Sequence, residues 1–312
     1  MYMEEVSTKL RKASTFSWFK NTIMVFRRKF LKLTVGTIHK SIGWHKWCIP
    51  HLRRNLTFST FADKLNVKQY VQTIAPEVTV TKTFTSVSNS EDITEELLSS
   101  LPNKYVMKGT HGSGMTVIVN GGALKCHGMC SIRFGTNETR VEFLRKNCGK
   151  WLSYDYGRGG ELYYSKIPFN CIFEEFIPQN NDYKFHTFHG TPMFIQHDTS
   201  RFKGHKRTFY TPSWKPITMR KKPNRLDYET DTHSPPKRLD LLVKAATKLA
   251  KAFTMVRVDL YLNDDKVFFS EFSAGMDNCK GEFTPELLEK YYGYVATHPE
   301  IKHDPEYVLQ LS

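Results

Sequence analysis

Apolar and polar residues recur in two periods along this chain, one helical and one alternating, and the switches between them mark an α/β start followed by a strand-rich middle. Leu65, Val67, Tyr70, Val71 and Ile74 fall at helical spacing and predict a helix over residues 61–74. Residues 78–84 alternate as a strand, and a short helix over 93–101 follows acidic capping-type residues. Two β-rich runs, Lys104-Tyr-Val-Met-Lys108 and Met115-Thr-Val-Ile-Val119, flank a glycine-rich bend and predict a hairpin. Residues 170–177, 183–188 and 194–197 read as further strands. Leu239, Leu242, Val243, Ala246 and Leu249 place an amphipathic helix over 239–253. The last clear pair is a strand over 256–262, the polar turn Asn263-Asp264-Asp265-Lys266, and a strand over 267–272. Residues 202–236 form the longest loop-like run, and no internal repeat is apparent.

Composition narrows the class. Of 312 residues, 40% are apolar, 13% aromatic and 24% charged, which supports a packed core and excludes global disorder. The formal net charge of +14 points to anionic partners. Residues 1–54 hold 12 Lys and Arg against two acids, so +10 of that charge lies in the first sixth. The best apolar stretch there, 16–26, is broken by Lys20 and Asn21 and followed by Arg27-Arg28-Lys29. That is far short of the roughly 20 apolar residues that span a bilayer, so no transmembrane helix is expected and a signal peptide is disfavoured. The segment reads either as a basic amphipathic helix packed on a domain or as one docking on an anionic membrane surface or partner. A cytoplasmic protein, peripheral to a membrane in the second reading, is the expectation. Six cysteines are too sparse for a disulfide framework, so reduced thiols are expected; Cys126-His127-x-x-Cys130 lacks the second pair of a zinc site.

Three constellations carry chemistry. The run Lys108-Gly-Thr-His-Gly112-Ser113-Gly114-Met115 lets backbone N–H groups approach an anion. It is neither a Walker loop nor a dinucleotide fingerprint, which leaves a plain tight hairpin or a flap over polyphosphate with Lys108 at its root. Arg257 and Asp259 share a strand face, as do Glu271 and Ser273 on the next strand. Carboxylates among Val, Leu and Phe call for a hard cation such as Mg2+, unless the group is a surface cluster. Glu174 and Glu175, flanked by Phe173, Phe176 and Ile177 and followed by Asp182 and Lys184, suit a ribose and a base edge, or an ordinary edge strand. The basic run over 201–225 contains no acid and is interleaved with Phe202, Phe209, Tyr210 and Trp214. It reads as an anionic-substrate loop, a solvated loop or an RNA-binding stretch, with nucleic acid the least favoured. His186, His189, His197 and His205 read as core or surface histidines.

In this order the three constellations resemble an ATP-grasp enzyme. Tyr-Val-Met-Lys-Gly-Thr-His-Gly-Ser-Gly-Met at 105–115, Phe-Ile-Gln-His-Asp-Thr-Ser-Arg-Phe-Lys-Gly-His-Lys-Arg-Thr-Phe-Tyr at 194–210 and Val-Arg-Val-Asp-Leu-Tyr at 256–261 resemble the TupA-like ATP-grasp family, associated with teichuronopeptide and other surface-polysaccharide biosynthesis. The resemblance covers residues 61–285. It implies an α+β, ATP-grasp fold in which two α+β lobes clamp the nucleotide, here with a helical basic N-terminal extension. The implied plan is an extension over 1–54, a pre-ATP-grasp α/β region over 55–104, a flap lobe over 105–178, a lobe with the metal site and basic loop over 179–290, and a tail over 291–312.

The same resemblance implies roles. Lys64 and Lys108 match the phosphate-facing lysines, with Gly112, Ser113 and Gly114 as the flap. Glu174, Glu175, Phe176 and Ile177 match the hinge that receives adenine, and Asp182, with Lys184 beside it, the ribose acid. Asp259 and Glu271 match the Mg2+ ligands, Arg257 the group that steadies the transferred phosphate, and the loop from Arg201 the one that orients the carboxylate. Ser273 stands where ATP-grasp enzymes usually carry Asn, and Ala274-Gly-Met-Asp-Asn-Cys279 replaces a Pro-Gly-rich stretch. The implied activity is an ATP- and Mg2+-dependent carboxylate–amine ligation on an acidic sugar or glycan-linked acceptor. The rival is a catalytically silent protein of this fold that holds anionic glycan, lipid head groups or nucleic acid.

Overall fold

A computed structural model describes residues 36–130, 138–178, 182–199, 206–222, 227–228, 232–301 and 303–312. The architecture is α+β and holds two main antiparallel sheets. In the smaller, β1 (Thr83–Val87), β2 (Lys104–Gly109), β3 (Met115–Asn120), β4 (Ala123–Gly128) and β5 (Cys171–Glu175) lie in the order β1-β5-β2-β3-β4. Six strands of the larger sheet run β11 (Asp227–Tyr228), β8 (Lys206–Tyr210), β7 (Thr191–Thr199), β6 (Asp182–Phe188), β12 (Met255–Asn263), β13 (Lys266–Ser273), with β9 (Pro216–Ile217) beside β8. Among the described strands, the short β11 pairs in parallel with β8 and the other pairings are antiparallel; an isolated parallel bridge joins Thr79 to Phe268. β10 (Arg220–Lys222) and β14 (Glu282–Thr284) form a separate ribbon, so the loop-like run over 202–236 contains several short strands.

The helices are α1 (Trp44–Cys48), α2 (Ser59–Ala62), α3 (Val67–Ile74), α4 (Glu95–Ser100), α5 (Arg140–Leu152), α6 (Leu239–Ala250) and α7 (Glu286–Thr297). α5 starts on a capping box in which Thr139 and Glu142 satisfy each other's backbone N–H groups. Its Phe143, Leu144, Cys148 and Trp151 complete a core with Tyr105, Met107, Val117 and Phe173 of the smaller sheet. A second core forms where Leu242, Ala245, Ala246 and Leu249 of α6 cover the larger sheet.

The helix expected over 61–74 is divided. Asp63 is buried, and its carboxylate accepts from Leu65 N (2.9 Å) and from the Asn66 side chain (2.6 Å), which turns the chain before α3 restarts. The strand expected from 78 begins at Thr83, because Thr79 is drawn to the other sheet: its N–H donates to Val267 O (2.8 Å) and its carbonyl accepts from Phe269 N (2.9 Å). Residues 1–35 lie outside the described set. Residues 36–54, grouped with the basic segment in the sequence reading, pack into the larger core through Trp44, Trp47 and Cys48, against α7. A Cβ on Gly293 of α7 would sit 1.9 Å from Ile42 O, so that close approach requires glycine. The 290/291 boundary falls inside α7, whose Tyr291, Tyr292 and Val295 are core residues. The expectation of reduced thiols is corrected: Cys48 pairs with Cys279 and Cys126 with Cys130 as disulfides, while Cys148 and Cys171 are free and buried. Among the described residues no helix is long and apolar enough to cross a membrane.

Candidate active site

The β12–β13 hairpin brings its polar residues into register. Asp259 lies opposite Glu271 and Arg257 opposite Ser273, while β6 sets Lys184 opposite Asp259 and His186 opposite Arg257. Period-two alternation then puts Arg257, Asp259, Lys184 and His186 on one face. Arg257 grips Asp259 with two nitrogens, at 2.6 and 2.7 Å, and reaches Glu271 at 3.4 Å. Lys184 donates to Asp259 (3.1 Å) and to Asp182. Burial opposes the charge on Arg257, but Asp259 and Glu271 outweigh it and hold the guanidinium above its ordinary range. Lys184 is likewise raised, burial being overcome by Asp182 and Asp259. Among the described residues no group of three His, Cys, Asp or Glu side chains is arranged as a metal cage. Asp259 and Glu271, cross-strand partners, and Ser273, two residues on from Glu271, are oxygen donors of the kind Mg2+ takes, with water and phosphate completing its shell; Asp259 would share its oxygens with Arg257 and Lys184.

Opposite this edge stands the glycine-rich hairpin. Lys108 pairs with Thr116 across β2 and β3, and the bend over 110–114 closes the loop. Gly114 is at φ +73° and touches Gly128, where a Cβ would meet Gly114 Cα at 2.5 Å. The Lys64 ammonium donates to Gly112 O and lies 4.0 Å from Glu271, so one lysine touches both the flap and β13. Burial is the main reason its pKa is lowered. Burial, with Glu161 nearby, pushes the Tyr156 phenol up to about 12. Lys108 pairs with Glu174 on β5, as does Lys68 of α3 at 2.8 Å. Burial works against ionised Glu174, yet these two lysines outweigh it and hold the carboxyl down at about 2.

The sequence pattern of the family described as TupA-like ATPgrasp matches residues 41–295, which include the flap, the hinge and both strands of the Arg257–Glu271 cluster. The chain belongs to the TupA-like ATPgrasp family. Among solved structures it is similar to D-alanine–D-alanine ligase from Bacillus anthracis complexed with ATP, at 13% identity and TM-score 0.42, covering 78% of this chain and 68% of that one. It is also similar to the macrocyclase MdnC bound with precursor peptide MdnA from Microcystis aeruginosa MRC, at 12% identity and TM-score 0.38, covering 80% and 62%. The ADP complex of purK, N5-carboxyaminoimidazole ribonucleotide synthetase, is similar at 12% identity and TM-score 0.38, covering 72% of this chain and 47% of that one. The chain thus spans about half the length of the purK structure. These likenesses are remote, and the assignment rests on the family match. No curated protein matches the sequence.

In this TupA-like chain the expected site residues fall into two neighbouring groups. Lys64, Arg257, Asp259, Glu271 and Ser273 gather at the β12–β13 edge, and Lys108, Gly112, Ser113, Gly114 and Glu174 at the flap and hinge. Glu174, expected at the adenine, turns its side chain to lysines instead; Glu175 is exposed, and Phe176 and Ile177 are half-buried. Asp182 is buried against Lys184. Arg201 lies outside the described residues. Three features escaped the sequence reading. Lys68 stands four residues after Lys64, a spacing that α3 alone does not explain. Glu161 lies in the loop under the site, where burial raises its carboxyl while Arg257 and Glu271 act on it from nearby. A buried chain links His186 to Gln196 (3.2 Å), Gln196 to Asp198 (2.8 Å) and Arg207 to Asp198 (2.8 Å). No motif signals that chain, because strand pairing alone assembles it.

Proposed function

We propose that this protein is an ATP- and Mg2+-dependent carboxylate–amine ligase working through an acyl phosphate. The observation that carries the reading is Lys64, which touches the flap carbonyl at Gly112 and stands 4.0 Å from Glu271, joining a cation-rich wall to an anion-rich one. Lys64 and Lys108 hold the phosphates, the hinge over 174–177 receives adenine through its backbone, and Asp182 with Lys184 takes the ribose. Asp259 and Glu271, with Ser273, would hold Mg2+, which when bound offsets negative charge on the phosphates in transfer. A substrate carboxylate oriented by the loop from Arg201 attacks the γ-phosphorus and ADP leaves; Arg257 steadies the charge on the transferred group. An amine then displaces phosphate and forms the amide.

The lobes would divide as the flap over 105–178 and the metal edge over 179–290. The acid-free basic run over 201–225 supports an acidic sugar or glycan-linked substrate, and with it a role in polysaccharide biosynthesis. The test is phosphate release from ATP in a matrix of uronic acids and amines. Release that needs an acid and an amine together supports ligation. Release indifferent to both, or none with any pair, contradicts it.

A further inference from the structure

Lys68 has no part in the ligase reading, yet it is among the most constrained cations of the structure. It sits in the first turn of α3, where the helix dipole disfavours a positive charge. Its three ammonium donors are all used: Glu174 Oε2 at 2.8 Å, Thr83 Oγ1 at 2.7 Å and Thr81 O at 2.9 Å. The Thr81 hydroxyl donates to the same Glu174 oxygen at 2.9 Å. Lys108 takes the other oxygen, Oε1, in its one ion pair among the described residues. Glu174 therefore has two sides, one fastened by Lys68 and the Thr81 hydroxyl, the other occupied by Lys108 from the root of the flap.

The carboxylate is 3% exposed. A buried carboxylate stripped of its only cation is strongly penalised, so with one lysine the pair would not separate. With two, one can leave while the charge stays compensated. We propose that Lys68 is a positioning residue for the nucleotide: it remains on Glu174 as a fixed counter-ion, so that Lys108 can leave Glu174 for the phosphates. This rests on the reading of Lys108 as a phosphate ligand. Without Lys68, Lys108 is held on Glu174 and the competent fraction falls, with apparent affinity falling in proportion.

The test is calorimetric titration with a non-hydrolysable ATP analogue and Mg2+. The proteins are the full chain and its Lys68→Gln, Glu174→Gln, double and Lys108→Ala variants. Lys68→Gln weakens binding on the order of tenfold or more if Lys108 is then held on Glu174 most of the time. Glu174→Gln removes what holds Lys108, so adding Lys68→Gln to it changes nothing further. Wild-type affinity in folded Lys68→Gln, together with a loss in Lys108→Ala, overturns the proposal and leaves the ligase reading standing. An unaltered Lys108→Ala overturns both. If Lys68→Gln does not fold, the decision passes to the charge-neutral double variant: a tenfold loss relative to Glu174→Gln overturns the proposal, and equal affinity supports it.

Discussion

Two neighbouring charge clusters are joined through Lys64, and they are built with opposite imbalance. At the flap, one carboxylate, Glu174, is shared by two lysines, Lys68 and Lys108. At the β12–β13 edge, two cations, Arg257 and Lys184, are shared among three carboxylates, Asp259, Glu271 and Asp182, with Glu161 close enough to act on Arg257. The first has a surplus of cation and suits phosphate. The second has a surplus of carboxylate and suits a divalent cation. Lys64 belongs to neither sheet and touches both sides. The same physics, that buried charge must be paired, thus prepares one wall for an anion and the other for a metal.

Breaking the acidic side has the largest expected effect. Glu271→Ala should abolish Mg2+-dependent nucleotide turnover in a folded protein; unchanged phosphate release would remove Glu271 from the metal assignment. Next comes Asp259→Ala, which takes from Arg257 its closest carboxylate, leaving it Glu271 at 3.4 Å, and leaves Lys184 with Asp182. The expected loss of stability is about 3–5 kcal/mol, read as a lower denaturation midpoint at constant slope.

Acid titration separates the clusters further. Because the folded Glu174 carboxyl is held at about 2 against an ordinary 4.5, its contribution is fully present above pH 4.5 and is lost as pH falls toward 2. Linkage puts that contribution at about 3 kcal/mol. The acid limb of a stability–pH curve should therefore flatten in Glu174→Gln between those values, and an unchanged limb would contradict the lysine clamp. Gly128→Ala forces a Cβ against Gly114 at positive φ and should cost about 1–3 kcal/mol, with the flap loosened. The smallest effect is of opposite sign. Burial raises the Glu161 carboxyl, so its ionisation at neutral pH costs stability, and Glu161→Gln should raise the melting temperature slightly.

The sequence made the local parts of this account legible and left the non-local ones dark. The hairpins around Gly112 and Asn263 could be read because a turn and two alternating runs are adjacent in the chain. The register that opposes Asp259 to Glu271 follows from that same short turn. α5 was legible in principle, since Thr139 and Glu142 form a capping-box spacing, but its apolar face is diluted by Arg145, Lys146, Asn147 and Lys150. The division of 61–74 was not legible, because it turns on the buried Asp63 carboxylate capping its own chain. Nor was the capture of Glu174 by Lys68, whose partners lie 106 residues apart and meet only when α3 packs beside β1 and β5.

The most direct test of a phosphate wall facing a metal wall is calorimetric titration with a non-hydrolysable ATP analogue, with and without Mg2+, in wild type and Glu271→Ala. The account predicts tight binding only in wild type with Mg2+, and weak binding, unaltered by Mg2+, in the variant. Equal binding with and without Mg2+ in wild type, or none at all in a folded protein, would contradict it and favour a silent anion-binding role for the fold.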